Sequence, residues 1–284
     1  MAFVHLRSHT EFSVVDGTVR IDDLVKAAAK DGQPAVAVTD LSNLFGAVKL
    51  YSAARKKGVQ PIIGADVWIE PEESGKTPTR LLLLIQNRQG YLRLCELLGE
   101  AWTAPGQRSH AWVHWASLAA NNAGLICLSG ADLGSIGQAL INGDAAKAEA
   151  QATRLAETFP GRFYIELQRA GHPTNETHIR GAVPLAAKLG LPVVATHPIQ
   201  FSTPDDFEAH EARTCIAEGE TLGNPRRIKR FTREQYFKTG AEMQALFADI
   251  PSALANTVAI ARRCALTLVL GKPQLPNFPT PILP

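Results

Sequence analysis

Short apolar runs separated by longer amphipathic segments recur along most of this chain. Runs at 3–6, 35–39, 61–64, 81–85, 124–128, 163–167 and 192–196 are continuous and too short for helices, so they read as buried strands. Between them, apolar positions recur at helical spacing. Ile21, Leu24, Val25 and Ala28 fall at i, i+3, i+4 and i+7, with Asp22 and Asp23 in the first turn and Gly32 just past the end. Ala47, Leu50, Tyr51 and Ala54 repeat that spacing, and Lys56 and Lys57 close the helix before Gly58. Further helices are expected over 91–102, 145–159, 177–189 and 205–217. About seven βα repeats imply a parallel sheet, either closed or open and doubly wound. No G-x-G-x-x-G follows a strand, which disfavours a dinucleotide-binding sheet. The expected fold is α/β, an irregular (β/α)7-type barrel.

The last third changes character. Arg226, Arg227, Lys229, Arg230 and Arg233 crowd into one short stretch around Phe231. Such a run tracks a phosphate backbone, is a solvated loop, or makes an intramolecular contact to an acidic neighbour. A helix follows, with Leu254, Thr257, Val258 and Ala261 on one face. The chain then ends in five prolines within twelve residues, which exclude helix and central strand and read as an extended connector. The expected organisation is a barrel over 1–218, a basic loop and helical extension over 219–270, and a connector over 271–284 that leads to further protein. Residues 71–78 read as a solvated loop between strands.

Composition narrows the function classes without choosing one. At 284 residues, with 45% hydrophobic and 20% charged residues, the chain can bury a large core. A net charge of +2 gives no global field toward nucleic acid, so any basic surface must be local. Cys95, Cys127, Cys215 and Cys264 form no C-x-x-C pair, which fits reduced thiols packed as small apolar groups. No apolar run approaches a membrane span and no signal-peptide layout is present, so a cytoplasmic location is expected.

Candidate chemistry lies at strand ends, where α/β folds with parallel strands collect ligands and catalytic groups. The first strand runs into Arg7-Ser8-His9 and reaches Asp16; the second ends at Asp40-Leu41; the third reaches Asp66; the last ends at His197-Pro198-Ile199-Gln200. Each signal alone is weak, because a strand-end Asp usually caps the next helix. Their order and spacing together resemble the polymerase and histidinol phosphatase (PHP) domain. The resemblance is closest to the form at the N-terminus of bacterial replicative DNA polymerase III α subunits. It rests on Phe3-Val4-His5-Leu6-Arg7, residues 39–46, Gly64-Ala65-Asp66, Leu128-Ser129-Gly130, Asp206-Phe207-Glu208-Ala209-His210-Glu211 and Leu246-Phe247-Ala248-Asp249-Ile250-Pro251, and covers essentially the whole chain.

Active members of that family hold a divalent metal cluster at the barrel mouth, bound by His, Asp, Glu and sometimes Cys. By resemblance, His9 and Asp16 stand at ligand positions, and Asp66 stands where Glu is common. Arg7 replaces the first histidine, and Leu41 replaces the histidine after Asp40. Arg80, which opens its strand, and Ala131 stand at two more ligand positions, and Pro198 and Gln200 stand where an Asp-x-His pair belongs. Six of these nine positions lack a normal ligand. Leu41, Ala131 and Pro198 offer no side-chain donor, and a guanidinium repels a cation. His197 reads as part of a strand-end turn, or as one displaced ligand. The acids left behind would be costly if buried alone, and Arg7 is expected to pair with Asp66 or Asp16 first and Asp40 second.

The resemblance therefore implies a domain without catalytic residues or a metal of its own. Its role would be to stabilise the polymerase and dock the proofreading exonuclease (ε) subunit. The helical extension would lead to the palm of the remaining α subunit, where magnesium and the nucleotidyl-transfer acids that act on DNA would lie. The rival reading is a metal-dependent phosphoesterase or 3′–5′ exonuclease. A free-standing histidinol phosphatase is disfavoured by residues 205–258.

Overall fold

The computed structural model describes residues 2–71, 77–104, 111–273 and 275. Seven strands are present: β1 (Ala35–Val38), β2 (Gln60–Ile69), β3 (Thr79–Ile85), β4 (Trp112–Val113), β5 (Leu125–Leu128), β6 (Phe163–Gln168) and β7 (Val193–Thr196). Ten helices accompany them: α1 (Ile21–Lys30), α2 (Ala47–Lys56), α3 (Arg88–Thr103), α4 (Trp115–Ala120), α5 (Ser135–Ile141), α6 (Ala145–Thr158), α7 (Thr174–Leu189), α8 (Phe207–Glu218), α9 (Gly240–Leu246) and α10 (Pro251–Arg263). The strand order is β1-β2-β3-β5-β6-β7, and the two-residue β4 pairs with β2. Residues 274 and 276–284 of the expected connector and 72–76 of the expected loop lie outside the described residues.

Two expectations are corrected here. The sheet is not all parallel: β3 runs antiparallel to both β2 and β5. The register of β2 with β3 has the chain return down the barrel instead of crossing over it. The run at 3–6 is not a regular strand. It is extended chain that bridges in parallel to β1 at His5 and Val36 and, further on, to Ile199 at Ser8. That segment closes the curled sheet between its first and last strands.

The strands are buried on both faces, and side chains alternate between an outer layer under the helices and the barrel interior. Val4, Leu6, Ala35, Ala37, Ile62, Leu82, Leu84, Ile126, Leu128, Tyr164 and Val194 fill the interior. Ile260, Ala261 and Cys264 of α10 and its end belong to the same cluster, so α10 is the floor of the barrel. Its Thr257 Oγ1 accepts the Val4 N–H at 3.1 Å, and Gln60 Nε2 donates to the Ala261 and Cys264 carbonyls at 2.8 and 2.7 Å. Residues 219–270 thus hold the element that closes the barrel from below. None of the helices is long and apolar enough to cross a membrane among the described residues.

Candidate functional site at the barrel mouth

The alternation that fills the interior also delivers charge to the opposite end. Continuing inward every second residue, Ile62 leads to Asp66, Tyr164 to Glu166 and Gln168, and Val194 to Thr196. On antiparallel β3 the same count runs backward from Leu84 and Leu82 to Arg80. A residue that opens its strand therefore lies at the mouth with residues that end theirs. Arg80 pairs in register with Trp68, and its guanidinium sits 4.0 Å from the centre of that indole ring.

Three buried cations and three buried carboxylates meet there. Arg7 Nη1 donates to Asp66 Oδ2, and Arg7 Nε and Nη2 donate to the two oxygens of Glu166 at 2.9 and 3.2 Å. Arg80 Nη1 reaches the same Asp66 oxygen at 2.6 Å. His9 Nδ1 lies 2.9 Å from Asp16 Oδ1 and its Nε2 lies 3.2 Å from Asp66 Oδ2. A ring with a carboxylate on each nitrogen is a double donor, the imidazolium. Burial pulls the His9 pKa down, but the charges and hydrogen bonds of Asp16 and Asp66 outweigh it and raise it to about 9. Burial likewise opposes ionisation of Asp66, yet Arg7, then Arg80 and His9, hold its carboxyl well below the usual carboxylate range. Asp16 is also lowered, by His9, Arg80 and the Ser13 hydroxyl that donates at 2.6 Å, against the opposing effect of burial.

The expected Arg7–Asp66 pair is present, and Arg7 makes no hydrogen bond to the alternatives Asp16 and Asp40. Asp40 lies apart from the cluster, accepting from the Thr10 N–H at 2.6 Å and the Thr10 hydroxyl at 2.9 Å. Burial raises its pKa to about 6. The second partner of Arg7 is Glu166, which sequence reasoning missed. Glu166 also accepts from the Gly130 N–H at 3.0 Å, Gln168 Nε2 at 3.1 Å and the Thr196 hydroxyl at 2.5 Å. The available signal was a lone Glu at an inward position of an otherwise apolar strand. Gly130 is needed for this approach: a Cβ there would lie 2.2 Å from the Arg80 carbonyl oxygen.

The other expected positions separate. Leu41 is bridged to Asp66 through the backbone, and its N–H donates to Ser13 Oγ at 3.0 Å. Ala131 is fully buried with φ at 49°, a conformation sparsely adopted by residues with a Cβ. Gln200 Nε2 lies 3.4 Å from His9 Nδ1 and its Oε1 has no partner; the opposite amide orientation would give Oε1 to the ring N–H. Pro198 offers its carbonyl to Gln235 Nε2 at 3.5 Å. His197 packs toward His5, their ring centres 6.3 Å apart, and burial with the His5 and Lys238 charges lowers its pKa to about 3. It is not a displaced ligand of the mouth.

Three cations of the basic run make contacts within the protein, and of these Arg227 alone is drawn in from solvent. Arg227 pairs with Glu211 on α8, Arg230 Nε lies 3.4 Å from Glu218, and Arg233 stacks 5.2 Å from the Phe207 ring centre. Arg226, Lys229, Arg230 and Arg233 are exposed. The intramolecular acidic contact holds for Arg227 and Arg230, on a loop that is otherwise solvated.

A metal cluster does not fit this donor set. Among the described residues no group of three or more His, Cys, Asp or Glu side chains is arranged to hold a metal ion. The Arg7 guanidinium lies between the two acids best placed to converge on one, and His9 has no free lone pair.

The sequence pattern of the PHP domain matches residues 5–170. The chain belongs to the PHP family. Over 99% of its length it is 49% identical to the DNA polymerase III subunit alpha of Pseudomonas aeruginosa. It is 48% identical to that of Neisseria meningitidis serogroup A and 42% to that of Escherichia coli K12, each over 98%. The region matched is the N-terminal PHP region of those subunits. The chain spans only 24% of the Pseudomonas and Escherichia proteins and 25% of the Neisseria protein. Among solved structures, an amidohydrolase from Chromobacterium violaceum, with bound sulfate and no metal, superposes with a TM-score of 0.53 at 15% identity. The match covers 75% of this PHP chain and 97% of that one, a likeness of fold.

Proposed function

We propose that this chain is the PHP domain of a cytoplasmic replicative DNA polymerase III α subunit, and that it works there as a structural and docking domain, not as a phosphoesterase. The observation that carries the reading is the Arg7 guanidinium bound to both Asp66 and Glu166. A hydrolytic metal site needs several anionic or imidazole donors free to converge and a metal-bound hydroxide as nucleophile. Here those donors are spent on arginine and on an imidazolium. The degenerate pocket then acts as an ion-pair lock that ties β2, β3 and β6 to the N-terminal segment at the mouth.

Template-directed synthesis of DNA, with its magnesium ions and acidic residues, belongs to the remainder of the α subunit. The similarity of this chain to the PHP region of polymerase subunits supports that assignment, and a proofreading exonuclease subunit is the partner it would dock. The test is a pair of assays on the purified chain. Neither primer extension with magnesium and dNTPs nor hydrolysis of phosphomonoesters and 3′-ended DNA with zinc or manganese should exceed background. Hydrolysis that EDTA abolishes and Asp16→Ala removes would establish the phosphoesterase reading instead.

A further inference from the structure

The barrel floor collects basic side chains that no acid answers among the described residues. The C-terminal end of α10, with Arg262 and Arg263, is the hub. Gln60 ties it to the turn after α2, which carries Lys56 and Lys57. The Ala265 N–H donates to the Gln86 carbonyl at 2.9 Å, which brings in Arg88 at the start of α3. Arg263 Nη2 donates to the Gly161 carbonyl at 2.9 Å, beside Arg162.

Elsewhere some exposed cations meet acids, Lys26 with Asp23, Lys49 with Glu11 and Lys188 with Glu149, while others such as Arg20 and Lys30 stand singly without one among the described residues. On the floor several such cations gather on one face. Lys56, Lys57, Arg88 and Arg262 are exposed, and their side chains make no ion pair or hydrogen bond among the described residues. Arg162 and Arg263 bond only neutral groups there: the Asn122 and Leu125 carbonyls, the Asn122 side-chain oxygen, the Tyr164 hydroxyl and the Gly161 carbonyl. The like charge of Arg263, after burial, lowers the Arg162 pKa. Helix dipoles favour Arg262 and Arg263 in the last turn of α10 but do not account for the whole set. A helix C-terminus carries about half a negative charge, against two lysines and Arg55 at the end of α2, and Arg88 stands at a helix N-terminus where a cation is unfavourable.

We propose that the barrel floor is a binding face for the phosphate backbone of duplex DNA. The face offers guanidinium and ammonium donors without exposed aromatic rings; its Tyr164 is buried. Backbone tracking without stacking suits a duplex better than a single strand, which binds through aromatic platforms. The face is opposite the mouth, so this inference stands whether or not the mouth is catalytic.

The experiment is fluorescence anisotropy of a short labelled duplex titrated with the 284-residue chain over a series of salt concentrations. Binding should weaken steeply with salt, and Lys57→Glu/Arg262→Glu should reduce affinity by at least about tenfold and flatten the log–log salt slope by about 2. Arg226→Glu/Lys229→Glu, on the exposed loop, should change little. Both variants alter exposed side chains, and matching thermal melts would show each is folded. Unchanged binding by the floor variant, loss of binding by the loop variant alone, or tighter binding to poly-L-glutamate than to the duplex would each overturn the proposal. The last result would assign the face to an acidic protein.

Discussion

Glu166 grips Arg7 at two points, at 2.9 and 3.2 Å, across 159 residues of sequence. Neither side chain is more than 5% exposed, so each depends on the other to be tolerated inside the barrel. Removing one partner of such a pair leaves a buried charge unanswered, whereas removing both does not. Arg7→Met should destabilise the fold by about 3–5 kcal/mol, and Arg7→Met/Glu166→Gln should cost clearly less than those two single changes summed. Urea melts of the four proteins measure that coupling, and additive costs would refute it.

The same geometry predicts a gain of function by substitution. Arg7→His/Arg80→His removes two cations from the mouth and adds two imidazoles beside Asp66 and Glu166. The variant should retain zinc after dialysis, read by elemental analysis, while the parent chain retains little. Equal zinc in both would mean that the arginines are not what keeps metal out.

His9 fixes the alkaline limit. Its pKa is about 9 in the fold against 6.5 for the free side chain, so the fold favours the protonated ring. The resulting stabilisation is complete below pH 6.5 and is lost as pH rises through about 9. Melting temperatures should fall over that window, and His9→Gln should abolish most of the dependence.

Two other histidines set an opposite slope. Burial holds His5 near 4, its Nε2 2.7 Å from the Lys238 carbonyl, and His197 near 3, so both are neutral in the fold. Unfolding frees them to titrate at 6.5, and the stability present above that value is lost as pH falls below it. Stability should therefore peak near neutrality. NMR titration of the ring protons should find His5 and His197 unprotonated at pH 6, and protonation there would contradict the assignment.

What the sequence made readable followed from local rules. Six of the seven apolar runs and the spacing of Leu24, Val25 and Ala28 foretold strands and a helix, since burial on both faces leaves a continuous apolar signature. The link from Arg7 to Asp66 followed from charge balance among strand ends. Glu166 was hidden because a single Glu inside Phe163–Gln168 looks like any polar interruption; only the register of Tyr164 with the interior shows that it points inward. The direction of β3 was hidden too, because apolar runs carry no sign of orientation and no crossover helix was missed until the pairing was seen. The floor was the largest omission. α10 reads as an ordinary amphipathic helix, and nothing local says that its apolar face plugs a barrel whose strands lie between Ala35 and Thr196.

That floor can be tested by itself. Ile260→Ala should cost about 2–5 kcal/mol, the range for a fully buried aliphatic side chain, since Ile260 has no exposed surface. A loss near zero in a urea melt would place α10 outside the cooperative unit.

The tie between Val4 and Thr257 also orders events in time. The two are 253 positions apart, and the barrel interior is sealed only when they meet. During synthesis the strands are made long before their floor, so Leu6, Ile62 and Leu84 wait beside an opening that the last helix must close. Contacts of such sequence separation are slow to form and leave apolar surface exposed meanwhile. A ribosome-bound chain stopped near residue 250 should therefore hold a nearly complete sheet that is still open, and it is this species, more than the finished domain, that a chaperone would meet.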